Sequence, residues 1–485
     1  MPEPKKIPLP RFPEWEIPDP NTLTSGRYGT YDMALIWWPD QTFSYSLAAQ
    51  AAAIATLGAL RPDLVTESVV AEVKKKATLD VIDPDRIREL EAKTGHDVIA
   101  INQALEEILS DEAKPFVNMG RTSADTTQTA KALQLKSALK VIATSIENLR
   151  DILLDKSIER KDIVAMDTTH LYDALPTTAG RPFAHYAEML QSGLNHLKYA
   201  YENSLIGKWG DATGNHHAAT VLGLDGMQLQ ETYCQMLGLK HMTASAQTSG
   251  LEYEADVMYA LWRITETMNN IAKYIAAGRW DDMNIFINTD SKKKKWSSAM
   301  PHKDAKNGNP TTEEQVMSLR NYMTGNLVTS VMNCEIPYAR NLAWSSNMRI
   351  NREDGFKFMD HCVRNLAKTV HTLWLKECRS KERVLRSFGT VTSAQLMTYI
   401  TDPTKVSKPL SRSEAHDLTA ELATKAYNKK TPYYTIVSND SRILDIVPNE
   451  DILKFLTDPL TYIGQSKKII EQVFTNFYEK KTIEE

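Results

Sequence analysis

The feature that most constrains this sequence is the stretch 126–156, in which apolar residues recur at the spacing of one helix face. Four further stretches, 41–60, 186–201, 251–277 and 315–332, have a similar pattern and predict long helices. Alternation typical of strands is scarce, and Tyr433–Val437 is the best short candidate. We therefore predict an all-α protein built around a central bundle of long helices.

The distribution of breakers predicts three domains. Residues 1–118 form an N-terminal helical domain, residues 119–375 the long-helix bundle, and residues 376–485 a smaller C-terminal domain with loops at 403–411 and 439–449. Residues 1–24 carry seven prolines and are predicted to form an extended arm that packs on a partner subunit.

Charge and cysteine content exclude several classes of function. A formal net charge of -4 over 485 residues provides no broad field for nucleic acid or an anionic membrane. The cysteines, which form no CxxC pair, fit neither a zinc knuckle nor a disulfide framework and predict reduced thiols in a cytoplasmic protein. The N-terminus lacks the apolar segment of a secretory signal, and no run of eighteen uncharged apolar residues predicts a membrane span.

Polar loops between the predicted helices carry the candidate chemistry, at 94–98, 120–125, 168–180, 208–217 and 296–310. Most single residues in them are explained as helix caps and turns. Caps do not require His96, His170, Lys303 and a Ser-Ser pair around an apolar bundle. Ser297 becomes a base only where cations and N–H groups stabilise its alkoxide, and Lys303 can supply such a cation. A histidine such as His170 exchanges protons near neutral pH.

Four of these segments resemble the motifs of the fumarase/aspartase superfamily. SSAMPHK (297–303) resembles its most specific signature, GSSxMPxKxN. TTHLYDALPTTAG (168–180), GRTSADTTQTA (120–130) and KWGDATGN (208–215) resemble three further segments, in the same order along the chain. The resemblance implies a three-domain helical fold and elimination of fumarate without a metal or organic cofactor.

Three more segments resemble those of the adenylosuccinate lyases within this superfamily. They are GRY (26–28), TGHDV (94–98) and RNLAWSSNMR (340–349). This resemblance implies a nucleotide substrate, a role in purine biosynthesis, and a homotetramer whose active sites are shared between subunits. Four features differ from the family pattern. Trp296 stands where the family has glycine, and Asn118 where it has histidine. The segment DAKNGNP after Lys303 is longer than the family's, and RNLA (340–343) replaces RDLS, with loss of a carboxylate and a hydroxyl.

The resemblance also implies a role for each matching residue. Ser297 is the expected base, Lys303 its electrostatic partner, His170 the general acid, and His96 a support for the acid or a phosphate ligand. The expected substrate contacts are Arg27, Tyr28, Asp97, Thr122, Ser123, Lys208, Asn215, Gln247, Met300, Asn309, Arg340, Ser345 and Arg349.

Other functions remain as alternatives. A related lyase releasing fumarate from a different succinyl amine, such as argininosuccinate, shares most of these motifs. A non-catalytic scaffold of the same fold needs none of Ser297, Lys303 and His170, so their presence together disfavours it.

Overall fold

The computed structural model describes residues 28–289, 298–306 and 309–483. Within them the helices are α1 (Tyr31–Ile36), α2 (Pro39–Leu60), α3 (Glu67–Lys76), α4 (Pro84–Thr94), α5 (Asp97–Ile108), α6 (Ser123–Glu159), α7 (Arg181–Asn203), α8 (His217–Val221), α9 (Gly226–Leu237), α10 (Glu252–Arg279), α11 (Thr311–Met332), α12 (Ser345–His371), α13 (Glu377–Leu385), α14 (Ser393–Thr401), α15 (Arg412–Lys429), α16 (Tyr433–Val437), α17 (Ser441–Leu444), α18 (Glu450–Thr457) and α19 (Ser466–Phe477). The strands are β1 (Val164–Thr169), β2 (Tyr172–Thr178), β3 (Ile206–Gly207), β4 (Lys240–His241), β5 (Phe286–Asn288) and β6 (Leu373–Leu375).

Five long helices close into a ring. Helix α6 packs on α7, α7 on α10, α10 on α11, α11 on α12, and α12 returns to α6. Their facing side chains form a continuous apolar core that includes the fully buried Leu139, Leu190 and Val363. Burial of such aliphatic side chains, each worth about 1.5–3 kcal/mol, holds the ring together. The prediction of an all-α bundle is confirmed, and the five predicted stretches correspond to α2, α6, α7, α10 and α11.

Helix α6 is the longest element, with 37 residues. Its first turn is capped by the Asp125 carboxylate, which accepts a hydrogen bond from the Thr122 N–H at 3.0 Å. At its other end the chain turns sharply: a Cβ on Gly180 would lie 2.1 Å from the Ser157 carbonyl oxygen. A side chain at position 180 would therefore push the start of α7 away from the end of α6.

In the part of the chain that the structure describes, three small two-stranded sheets flank the helices. β1 pairs antiparallel with β2, β3 parallel with β4, and β5 antiparallel with β6. The first sheet corrects the sequence prediction that residues 168–180 form a polar loop between helices. Thr177 and Thr178 instead belong to β2, where the Thr178 hydroxyl lies 2.6 Å from that of Ser466, and α7 begins only at Arg181.

The C-terminal region has a core of its own. Leu396, Leu422, Val437 and Leu453 belong to an apolar cluster separate from that of the helix ring. In this region the predicted strand Tyr433–Val437 is wrong, because the segment forms α16. Tyr433 and Val437 are fully buried whereas Thr435 is exposed. In a strand all three would share one face, so this pattern fits a helix. The three-domain division stays a prediction.

Helix α2 is, in the described residues, long and apolar enough to cross a membrane by length and composition alone. Its most apolar window is 72% buried inside the protein. The burial of Leu47, Ala52 and Ile54 identifies α2 as a core helix, packed on α6 and α9.

Candidate active site

A cavity of about 720 Å³ opens beside the N-terminal ends of α5 and α6. Its other walls are the start of α2, the segment 247–254 and the segment 340–353 at the start of α12. It gathers eight of the residues predicted to form the site: His96, Asp97, Thr122, Ser123, Gln247, Arg340, Ser345 and Arg349. Helix N-termini present free N–H groups and a partial positive charge, so two of them at one cavity favour an anionic ligand.

His96 lies between these two helix ends. Its Nε2 is 3.3 Å from the Ser123 hydroxyl oxygen, and its Nδ1 is 3.2 Å from an Asp97 carboxylate oxygen. Either ring nitrogen can carry the proton, so the imidazole can donate to one neighbour and accept from a ligand or the hydroxyl. This arrangement fits a residue that moves a proton or binds an anion.

Arg340 enters the cavity from the opposite wall. It donates a hydrogen bond to the Gln247 side-chain oxygen at 2.8 Å, and its backbone has the positive φ of 36°. Burial lowers the pKa of the Arg340 guanidinium below its ordinary value. Ser345 and Arg349, four residues apart, share one face of the first turns of α12. The three side chains together place polar and cationic groups along one wall.

Lys208 lies behind the cavity instead of lining it. Its ammonium is fully buried and 2.5 Å from an Asp125 carboxylate oxygen. The backbone N–H groups of Gly210 and Asp211 donate to the same carboxylate at 3.1 Å. This network ties the segment after β3 to the first turn of α6. In this position Lys208 supports the Thr122–Ser123 segment and does not face a ligand in the cavity.

Six other predicted residues lie outside this cavity. His170 is at the exposed turn between β1 and β2, with a φ of 53°. Lys303 donates to the Asn309 side chain at 2.9 Å, and Asn215 donates to the Thr213 hydroxyl at 3.1 Å. Met300 is exposed, and Tyr28 packs edge-on against Phe358 and His361 of α12. Ser297, Arg27 and Trp296 lie outside the described residues.

Sequence reasoning missed several cavity residues that the fold brings together. Lys131 lies two turns along α6 from Ser123, on the same side as Thr127. Arg352 forms two hydrogen bonds with the Glu254 carboxylate, at 2.5 and 2.7 Å. The spacing 123, 127, 131 was the available signal, since residues four apart share a helix face.

The closed helix ring agrees with the fold that the sequence motifs predicted. The sequence matches the family described as Lyase over residues 25–322, and the chain belongs to this family of the fumarase/aspartase superfamily.

Similar curated proteins are adenylosuccinate lyases. The one from Methanocaldococcus jannaschii is 28% identical, with 94% of this chain and 96% of the relative aligned. The one from Bacillus subtilis is also 28% identical, with 88% of this chain and 94% of the relative aligned.

Solved structures share the fold at lower identity. A fumarate lyase from Mesorhizobium sp. BNC1 has a TM-score of 0.77 at 18% identity, covering 93% of this chain and 99% of the other. A 3-carboxy-cis,cis-muconate lactonizing enzyme from Pseudomonas putida has a TM-score of 0.75 at 19% identity, covering 93% and 97%. At these identities the likeness establishes the fold alone.

Proposed function

We propose that this protein acts as an adenylosuccinate lyase, a carbon–nitrogen lyase of purine nucleotide biosynthesis. It eliminates fumarate from adenylosuccinate, giving AMP, and from the succinyl aminoimidazole carboxamide ribonucleotide. The observation that carries the proposal is the cavity in which Arg340, Ser345 and Arg349 face His96 and Ser123. Support comes from the adenylosuccinate lyases that align along almost the whole chain.

The proposed reaction is a β-elimination. Ser297, as alkoxide, takes a proton from the succinyl carbon that bears a carboxylate and is adjacent to the carbon bonded to nitrogen. The electron pair passes into that carboxylate, and Lys303 stabilises the charge that develops there. The pair then forms the double bond of fumarate while the carbon–nitrogen bond breaks, and His170 protonates the departing nitrogen. No metal or organic cofactor takes part in these steps.

We propose that each active site is assembled from several subunits of a homotetramer. An α-helix rises about 1.5 Å per residue, so the 37 residues of α6 span about 55 Å. The cavity lies at the start of α6, whereas β1 begins just after its end and its six residues reach only about 20 Å back. His170 therefore cannot enter the cavity of its own chain without rearrangement, which supports its serving a neighbouring subunit.

The exposed hairpin turn is consistent with such a contact. Leu171 is 98% and Tyr172 80% exposed, which is unusual for large apolar side chains. Sedimentation at micromolar concentration is expected to give a tetramer, and a fully active monomer at high dilution would contradict the shared site.

The proposal also includes a cytoplasmic location, supported by the four free cysteines.

The decisive experiment incubates the purified protein separately with adenylosuccinate and with argininosuccinate and follows fumarate release. Of these two compounds, only adenylosuccinate is expected to be cleaved. Release only from argininosuccinate would identify a different lyase of the same superfamily. Release from neither would favour a non-catalytic scaffold.

A further inference from the structure

A lysine on α6 adds a cation to the cavity that the predicted site did not include. Ser123, Thr127 and Lys131, each four residues apart, all line the cavity. Side chains on a helix lean toward its N-terminus, so the Lys131 side chain extends toward the polar end at Ser123. Its ammonium lies 5.6 Å from the centre of the Trp344 ring, which holds it by a cation–π contact.

The charges around this ammonium come from every wall of the cavity. Among the described residues, the ionisable ones that line it besides Lys131 are Glu91, His96, Asp97, Tyr253, Glu254, Arg340, Arg349, Arg352 and Glu353. Two of the carboxylates are already engaged, since Glu254 binds Arg352 and Glu353 binds Lys357. Lys131 and Arg349 form no ion pair with any carboxylate within the described residues.

The positive charge of the Lys131 ammonium is therefore only poorly compensated by its surroundings. Burial and the nearby Arg352 and Arg349 lower the pKa of Lys131 to about 8, against the opposing effect of Glu254 and Asp97. A cation held at this cost gains stability when an anion binds beside it, because the opposite charge favours the protonated form. Lys131 is thus poised to bind an anionic ligand.

We propose that Lys131 is a substrate-binding and specificity-determining residue that, together with Arg349, holds an anionic group of the substrate inside the cavity. The inference rests on the proposed function, which supplies a substrate with two kinds of anion, the carboxylates of the succinyl arm and the phosphate. Both offer the oxygen acceptors and negative charge that an ammonium and a guanidinium recognise.

A pH dependence follows from this placement. In the free enzyme Lys131 loses its proton as the pH rises above about 8. A bound anion restores the charged form, so binding takes up a proton and affinity falls as the pH rises through this range. An arginine at this position stays charged and removes the decline.

The test compares the wild type with Lys131→Met, Lys131→Arg and the control Lys140→Met. Methionine keeps an apolar stem against Trp344, and Lys140 lies on the same helix outside the cavity. Binding of AMP, fumarate and adenosine is measured by calorimetry at neutral and alkaline pH, with melting temperatures as the check on folding. AMP carries the phosphate, fumarate the carboxylates, and adenosine neither.

We expect Lys131→Met to weaken binding of one anion at least about tenfold while adenosine binding is unchanged. Weaker binding of AMP would show that Lys131 contacts the phosphate, and weaker binding of fumarate would show that it contacts the carboxylates. Lys131→Arg is expected to retain affinity and to abolish the alkaline decline, and Lys140→Met to behave as wild type. Equal binding of both anions by wild type and Lys131→Met would overturn the proposal.

Failure of the proposed function is distinguishable from failure of this inference. A wild type that releases no fumarate from adenylosuccinate contradicts the function. Binding of inorganic phosphate and of fumarate to wild type and Lys131→Met then decides the role of Lys131 by itself.

Discussion

The ion pair between Lys208 and Asp125 allows a stability effect to be calculated from the structure. Both side chains are fully buried, and the Asp125 carboxylate also accepts from the N–H groups of Thr122, Gly210 and Asp211. Asp125→Asn keeps the shape of the side chain but leaves the Lys208 ammonium buried without a counter-charge. Removing one partner of a buried pair costs about 3–5 kcal/mol, so we expect the free energy of unfolding to fall by that amount.

The assay is urea unfolding followed by circular dichroism at one fixed protein concentration, because an oligomer's apparent stability depends on concentration. The matched control is Glu202→Gln, which breaks an exposed ion pair with Lys198 on α7. Such pairs contribute about 0–1 kcal/mol. Adding Lys208→Met to Asp125→Asn removes the uncompensated charge and is expected to recover part of the loss.

A loss for Asp125→Asn no larger than that of Glu202→Gln would refute this reasoning. It would mean that the ammonium finds another partner or water when its carboxylate is gone. Fumarate release is measured in parallel, since loosening the first turn of α6 moves Thr122 and Ser123. We expect the catalytic constant to fall even under conditions where the variant remains folded.

Three further predictions concern the reaction. Ser297→Ala and His170→Ala are each expected to lower kcat by about 10²–10⁴-fold. Mixing the two variants under conditions of subunit exchange is expected to restore some activity. Near-normal turnover by Ser297→Ala would exclude Ser297 as the base. Arg27→Ala and Arg349→Ala are expected to raise KM about 10- to 100-fold with a smaller change in kcat, and a phosphate-free substrate cleaved as well as adenylosuccinate would argue against this. Prolonged treatment with EDTA is expected to leave the rate of fumarate release unchanged, whereas loss of activity that a divalent metal restores would contradict the proposed chemistry.

The helices were predictable where burial follows the helical period. In α6 and α10 the buried positions are mainly apolar, so the sequence alone reveals the face that packs. Helix α12 was not predicted, because the charged residues Arg352, Asp354, Lys357 and Asp360 interrupt the apolar spacing of its buried face over residues 352–360. Two of them have partners far away in sequence, Glu254 for Arg352 and Ser145 for Asp360. Periodicity cannot reveal a face whose polarity is compensated by distant residues.

The candidate site was predictable to a similar extent. Loops matching known motifs identified the residues at the ends of α5, α6 and α12, and the fold brings these together. Lys208 was predicted as a ligand contact because a motif gives residue type and order but not the pairing with Asp125. Lys131 lay outside every motif; its spacing from Ser123 placed it on the same helix face, but the contact with Trp344, just before α12, is visible only in the fold.

The length of α6 has a consequence for which changes this chain tolerates. The helix acts as a spacer between the cavity at its start and the hairpin anchored at its end by the close approach at Gly180. Inserting one heptad at an exposed position would lengthen it by about 10 Å while largely preserving the side that faces the core. Because α6 packs on α7 and α12, the part of α6 beyond the insertion would shift out of register with these two helices. In the proposed shared site, His170 would also miss a neighbour's cavity by far more than the reach of a proton transfer. Insertions within α6 are therefore expected to cost both folding and turnover, whereas insertions in the loop 403–411 leave this spacing untouched.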